Sequence, residues 1–217
     1  MIKTDREKKV QYLSISGECV TQKVIEKSRF ITTSSHVESE EEAKAFIAEI
    51  SSEYADATHN CYAYICDNLG NFLRFSDNGE PQGTAGMPIL EVIKNKKLLQ
   101  TAVVVTRYFG GIKLGAGGLV RAYSGCAAEN LEQAQKVLYE VCSESEYTVD
   151  YSGVDSAIRY FTECGADVIK TDYLNEVVFT VAVKKSEEDN FNKDLLNRLN
   201  GRIKIRKLKE YYFPFKI

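Results

Sequence analysis

Two histidines, His36 and His59, and six cysteines without a CxxC pair leave this sequence few of the ligands that a structural zinc site needs. Cys19, Cys61, Cys66, Cys126, Cys142 and Cys164 are read instead as reduced, mostly buried thiols. No stretch approaches the roughly 18 apolar residues of a membrane helix, and the opening MIKTDREKKVQYL lacks the apolar core of a signal peptide. These absences point to a cytoplasmic protein with no membrane partner. A basic excess is missing too: the formal charge of -3 argues against a general nucleic-acid coat while leaving a local basic patch open. The cofactor motifs fail in turn. Gly110 and Gly115 have the Walker separation, but Ala116 and Gly117 stand where Lys and Ser/Thr belong. Gly115 and Gly117 are followed by Val120 where a dinucleotide fingerprint needs glycine, and neither GxSxG nor HExxH occurs. We therefore expect no cofactor, no metal and a function other than catalysis.

The 217 residues, 44% hydrophobic, can bury one sizeable core or two modest ones. The pattern predicts an α+β chain of two domains, 1–136 and 137–217, with neither a linker nor an internal repeat between them. In the first, ECVTQKVIEKSRFITTSSHV reads as strands turning at Lys27 and Ser28, and Ser39 caps a helix whose first turn is acidic. THNCYAYICD and FLRFS flank the Asn/Gly turn of a hairpin, and ILEVIKNKK is a short helix. LLQTAVVVTRYF is a strand covered on both faces, and helical spacing of apolar residues resumes from Gly117. The second half reads β-α-β-β-α-β, the order of ferredoxin-like domains, with Ser186 capping its second helix.

Three constellations can carry chemistry. The first packs five glycines into the nine positions from Gly110 to Gly118, between a strand and a helix. Helix N-H groups, bare backbone and the side chains of Arg107, Tyr108, Lys113 and Arg121 suit an anion or a nucleic-acid phosphate, with Gly110, Gly111, Gly115, Gly117 and Gly118 as the cradle. The same glycines equally serve tight packing of strand, loop and helix. The second is DNGEPQGTAG. Asp77 and Glu80, with Asn78, Gly83 and Thr84, suit a cation or acid–base work, or a turn held by side-chain to backbone bonds. The third is His59 and Cys61, which share one side of a strand as a base and a nucleophile would, although a strand cysteine also serves as a small buried hydrophobe. On the last strand Arg202, Lys204 and Arg206 form a basic stripe, read as a solvated sheet face because no RNP aromatic signature accompanies it.

The motifs KSRF, HNCYAY, SDNGEPQGTAGMPIL and VVVTRYFGGIKLGAGGLVRAYS, in that order, closely resemble the YigZ/IMPACT family over nearly the whole chain. The resemblance implies that residues from about 18 to 136 have the two-layer α/β fold of the second domain of a small-subunit ribosomal protein. It implies a ferredoxin-like tail like the fifth domain of elongation factor G. For function it implies a translation-related binding protein engaging RNA, a ribosome, a translation factor or another protein partner. The alternative is an enzyme or sensor holding a phosphorylated small molecule at the glycine loop. One departure is Asn78, where the family's turn commonly has a second Asp, and it weakens a metal reading of that turn.

Overall fold

A computed structural model describes residues 11–217; the charged opening, residues 1–10, lies outside the described residues. The chain divides into two compact units, Tyr12–Leu138 and Tyr139–Phe215.

The first unit contains β1 (Tyr12–Ile15), β2 (Cys19–Ile25), β3 (Ser28–His36), α1 (Glu40–Glu53), β4 (His59–Ile65), β5 (Leu73–Ser76), α2 (Gly86–Asn95), β6 (Thr101–Tyr108) and α3 (Gly115–Gln133). Five strands form one sheet in the order β2-β3-β6-β4-β5, and all four pairings are antiparallel. β6 is the middle strand, which explains its β-branched run: every residue from Thr101 to Arg107 is buried. Helices α2 and α3 cover one face through Ile89, Leu90, Ile93, Leu119, Tyr123 and Leu131, packed on Cys61, Ala63, Val103 and Val105. The alternate residues Tyr64 and Ala102 pack instead with Ala43 of α1. Buried Asn130 ties α3 to the sheet, its Nδ2 donating to the carbonyls of Cys19 at 3.0 Å and Thr32 at 2.9 Å.

The Ser39 side chain caps α1 as expected, accepting from the Glu42 N-H at 3.1 Å. Other boundaries differ from the sequence reading. The β2–β3 turn uses Glu26 and Lys27, both with positive φ, and Ser28 is already in β3. α2 begins at Gly86, before ILEVIKNKK, because a carboxylate remote in sequence holds its first N-H groups. α3 begins at Gly115, two residues before Gly117.

The second unit is built from β7 (Lys136–Val149), a 3-10 turn at Tyr151–Gly153, α4 (Val154–Glu163), β8 (Asp167–Tyr173), β9 (Val177–Lys184), α5 (Glu188–Arg198) and β10 (Ile203–Lys216). The order β8-β9-β7-β10 is that of a ferredoxin-like sheet, with Phe161 of α4 and Phe191 and Leu195 of α5 packed on Tyr147, Phe179 and Val181. Ser186 does not cap α5; Glu187 takes the cap position without a side-chain bond. The stripe on β10 is largely neutralised within this unit: Lys204 pairs with Glu176 at 2.9 Å and Arg206 with Glu146 at 2.6 Å.

Among the described residues no helix is long and apolar enough to cross a membrane. All six cysteines are free, four of them buried.

Candidate functional site

The register of β3, β6 and β4 sets Phe30, Arg107 and His59 side by side on the helix-covered face. Arg107 follows Val103 and Val105 on that face, so its guanidinium enters the core and is only 4% exposed. A buried charge needs a partner, and Glu80 supplies it at 2.6 Å from Nη1. Nη2 donates to Ser28 Oγ at 3.2 Å, and the Phe30 and Phe109 rings lie 5.5 and 5.4 Å from the guanidinium carbon. The Tyr123 hydroxyl donates to the same Glu80 oxygen at 2.8 Å, and burial first of all pushes its pKa far up, so it remains a donor. Arg107 Nε has no acceptor among the described residues.

Glu80 reaches this position because its turn is strapped to β4. His59 Nδ1 lies 2.8 Å from the Asn78 carbonyl and must donate to it, the Asn60 N-H donates to Asn78 Oδ1 at 3.0 Å, and the Cys61 thiol donates to the Asp77 carbonyl at 2.9 Å. Asn78 and Gly79 both take positive φ, which Asn and Gly tolerate best. Burial pushes the Cys61 thiol up to about 12, so it stands as a neutral hydrogen-bond donor. His59 Nε2 is 3.9 Å from the second Glu80 oxygen. His59, Cys61, Asp77, Asn78 and Glu80 thus converge, but as the braces of a turn. Thr84 donates to the Pro81 carbonyl at 2.6 Å, and no group of three or more His, Cys, Asp or Glu side chains gathers as a metal set among the described residues.

Asp77 closes the turn from the other side. Its carboxylate accepts from the N-H groups of Gly83 at 2.8 Å, Ala85 at 3.0 Å and Gly86 at 2.9 Å, capping α2. Burial raises the Asp77 pKa, but these three bonds outweigh it and hold the group below its ordinary 3.8. A carboxyl with a depressed folded pKa adds stability that is complete above the unfolded value and is lost as pH falls through the folded one. Asp77→Asn is therefore expected to cost about 0.5–2 kcal/mol at neutral pH, as a lost cap does. The gap from wild type should close as the pH is lowered below 3.8, which thermal midpoints in stepwise acid would measure.

The loop after β6 turns away from this core. Gly110 crosses directly over the Lys27–Ser28 backbone, and its N-H donates to Ser28 Oγ at 3.2 Å. Gly111 and Gly115 adopt positive φ, and Gly118 lets α3 close on Leu114. Gly117 faces the Arg121 guanidinium, 3.5 Å from where a Cβ would stand. Tyr108 donates to Asp56 at 2.7 Å, with Arg29 stacked 4.2 Å from its ring centroid.

Two depressions flank the loop. A groove of about 460 Å³ is lined by Ile25, Glu26, Ile112, Lys113, Gly118 and Arg121. A cavity of about 320 Å³ is lined by Glu80, Arg107, Phe109, Lys113, Gly115 and Ala116, among others. Arg107 thus lies inside, already paired, whereas the side chains of Lys113 and Arg121 line the outer groove and take no ion pair or hydrogen bond among the described residues. Ser28, Phe109 and Tyr123 were absent from the sequence-derived site. In the sequence Tyr123 reads as an apolar helix position, and Ser28 as a turn residue within KSRF.

Two family models match: the Impact N-terminal domain over residues 26–131, and a domain of unknown function, DUF1949, over residues 148–202. IMPACT family member YvyE of Bacillus subtilis (strain 168) is 39% identical over 183 residues, 84% of each chain. IMPACT family member YigZ of Escherichia coli (strain K12) is 34% identical over 188 residues, 86% of this chain and 92% of the relative. A solved protein described as "Crystal structure of an hypothetical protein" superposes with a TM-score of 0.60 at 31% identity, covering 92% of this chain and 98% of that one.

Proposed function

The chain belongs to the IMPACT family, and from that premise we propose that it is a non-enzymatic, translation-related binding protein that engages RNA through the loop and groove between Phe109 and Arg121. The observation that carries this reading is the groove at the start of α3, where Lys113 and Arg121 stand without an ion pair among the described residues. Next to them Phe109 and Ile112 are 46% and 38% exposed. Free cations beside an exposed ring are what a single strand needs, phosphates meeting charge and bases meeting an aromatic face. The paired stripe on β10 has much less charge to offer.

A non-catalytic role is supported by how the reactive side chains are spent. The Cys61 thiol is neutral and bonded, His59 Nδ1 is bonded to backbone, and Asp77 caps a helix. A cytoplasmic setting accords with the free cysteines.

A Lys113→Ala/Arg121→Ala variant is expected to bind single-stranded RNA about tenfold more weakly at low salt. Its log–log salt slope should be shallower by about 1.4, the loss of two phosphate contacts at about 0.7 each. Anisotropy titrations at several salt concentrations measure both, and the thermal midpoint should not move because both side chains project into solvent from the groove. Wild-type protein that binds no RNA at low salt, or a variant that binds equally well, overturns the reading. Capture of a protein partner that survives nuclease treatment would replace RNA with a protein ligand.

A further inference from the structure

The geometry points to the cavity on the other side of Lys113 as a phosphomonoester site, holding the end of a nucleotide and not a phosphate from the middle of a strand. The inference shares the loop with the proposed RNA contact, but the unpaired guanidinium nitrogen of Arg107 carries it independently. That side chain is 4% exposed, lines the cavity and is fixed by Glu80 on Nη1 and Ser28 on Nη2, and its Nε-H has no acceptor among the described residues. Glu80 and Ser28 take two of the guanidinium's five N-H donors, and this side chain lines the cavity, so an oxyanion there meets donors still to spare.

The second donor set is the start of α3. This helix runs 19 residues, its cap residue Leu114 makes no side-chain bond to it, and Gly115 and Ala116 line the same cavity. Its first N-H groups and positive dipole end favour an anion. Lys113 adds a full charge. Glu80 is the opposing charge, and Arg107 offsets it, so Lys113 and the helix end leave the cavity positive. Three kinds of donor match the three terminal oxygens of a phosphomonoester better than the two of a carboxylate. The rest of the wall, Pro81, Phe109, Leu114 and Leu119, is apolar and suits a base or sugar, and about 320 Å³ falls within the size range of small-ligand sites.

Such a group reaches the protein either as a free nucleotide or as a strand end. Adenosine 5′-monophosphate, and one oligoribonucleotide carrying either a 5′-phosphate or a 5′-hydroxyl, are titrated against the full chain and against Ala116→Asp. Ala116 is exposed and a carboxylate in the first helical turn favours α3, so the variant folds while placing a negative charge where the phosphate would sit. Wild type is expected to bind the monophosphate, or to prefer the 5′-phosphorylated strand by about tenfold, and Ala116→Asp to lose that binding or preference with its thermal midpoint kept. The first result identifies a free nucleotide as the source and the second a strand end. The site is overturned if the monophosphate does not bind and the two strands bind alike, or if Ala116→Asp changes nothing. Strands that bind alike still leave the RNA reading standing, whereas monophosphate binding without strand binding removes that reading and keeps the site.

Discussion

Glu80→Ala is expected to lower the stability of the Tyr12–Leu138 unit by about 3–5 kcal/mol, the usual cost of removing one partner of a buried ion pair. Glu80 and Arg107 are both almost fully buried, and the same carboxylate oxygen also accepts from Tyr123. Truncation therefore strands a guanidinium and a hydroxyl together, both almost wholly buried. The thermal midpoint should fall by roughly 10 °C or more, at about 2–4 °C or above per kcal/mol for a unit of this size. Two further variants separate charge from packing. Glu80→Gln keeps an acceptor for Nη1 and Tyr123 and should lose less. Glu80→Leu combined with Arg107→Met removes both charges and should be more stable than Glu80→Ala alone. A loss below about 1 kcal/mol in Glu80→Ala would mean that the pair behaves as an exposed one and that this description of the core is wrong.

Gly110→Ala carries the second large effect. A Cβ at this position would overlap the carbonyl carbon and oxygen of Lys27 and stand 2.5 Å from the Ser28 nitrogen. The obstacle is backbone, on a tight turn whose residues Glu26 and Lys27 already hold positive φ, so no rotamer change relieves it. Overpacking of this kind costs about 1–3 kcal/mol and here belongs at the upper end. It also displaces Ser28 Oγ from Arg107 and the loop from α3, so ligand binding should weaken along with stability. Gly125→Ala, inside α3, is the matched control. Nothing stands within 4 Å of its added methyl and its φ is not positive, so it should stabilise by about 0.5–1 kcal/mol. Urea midpoints with unchanged slopes would report both, and a Gly110→Ala midpoint equal to wild type would refute the close crossing.

Local pattern carried much of the architecture. The apolar run of β6, the Ser39 cap and the Asn/Gly turn between β4 and β5 are each written within a dozen or so consecutive residues, and the order of elements after β6 follows from such local patterns taken one after another. The start of α2 differs because it depends on a group outside its own pattern: it begins at Gly86, whose N-H is accepted by Asp77, nine residues earlier. Arg107 shows the same limit at the site. Alternation with Val103 and Val105 already turned it inward, but a lone arginine at the end of a strand reads as a surface cation until Glu80 is found facing it. The β10 stripe likewise becomes mostly neutral only when β7 and the turn after β8 bring Glu146 and Glu176 alongside. Spacing identifies which residues can do chemistry; the partners that consume that capacity come from other elements.

The place of β6 in the sheet also sets the order in which the first unit can form. β2 and β3, and β4 and β5, are neighbours in sequence and can close as hairpins while the chain is still being synthesised. Neither hairpin pairs with the other, since β6 lies between β3 and β4 and joins both along almost its full length. Until residues 101–108 emerge, two edges stay unpaired and the helix-covered face has no centre. The sheet is then expected to close around its last-made strand, so that this unit folds late and as a whole, with closure of the loop of more than sixty residues between β3 and β6 as the slow step.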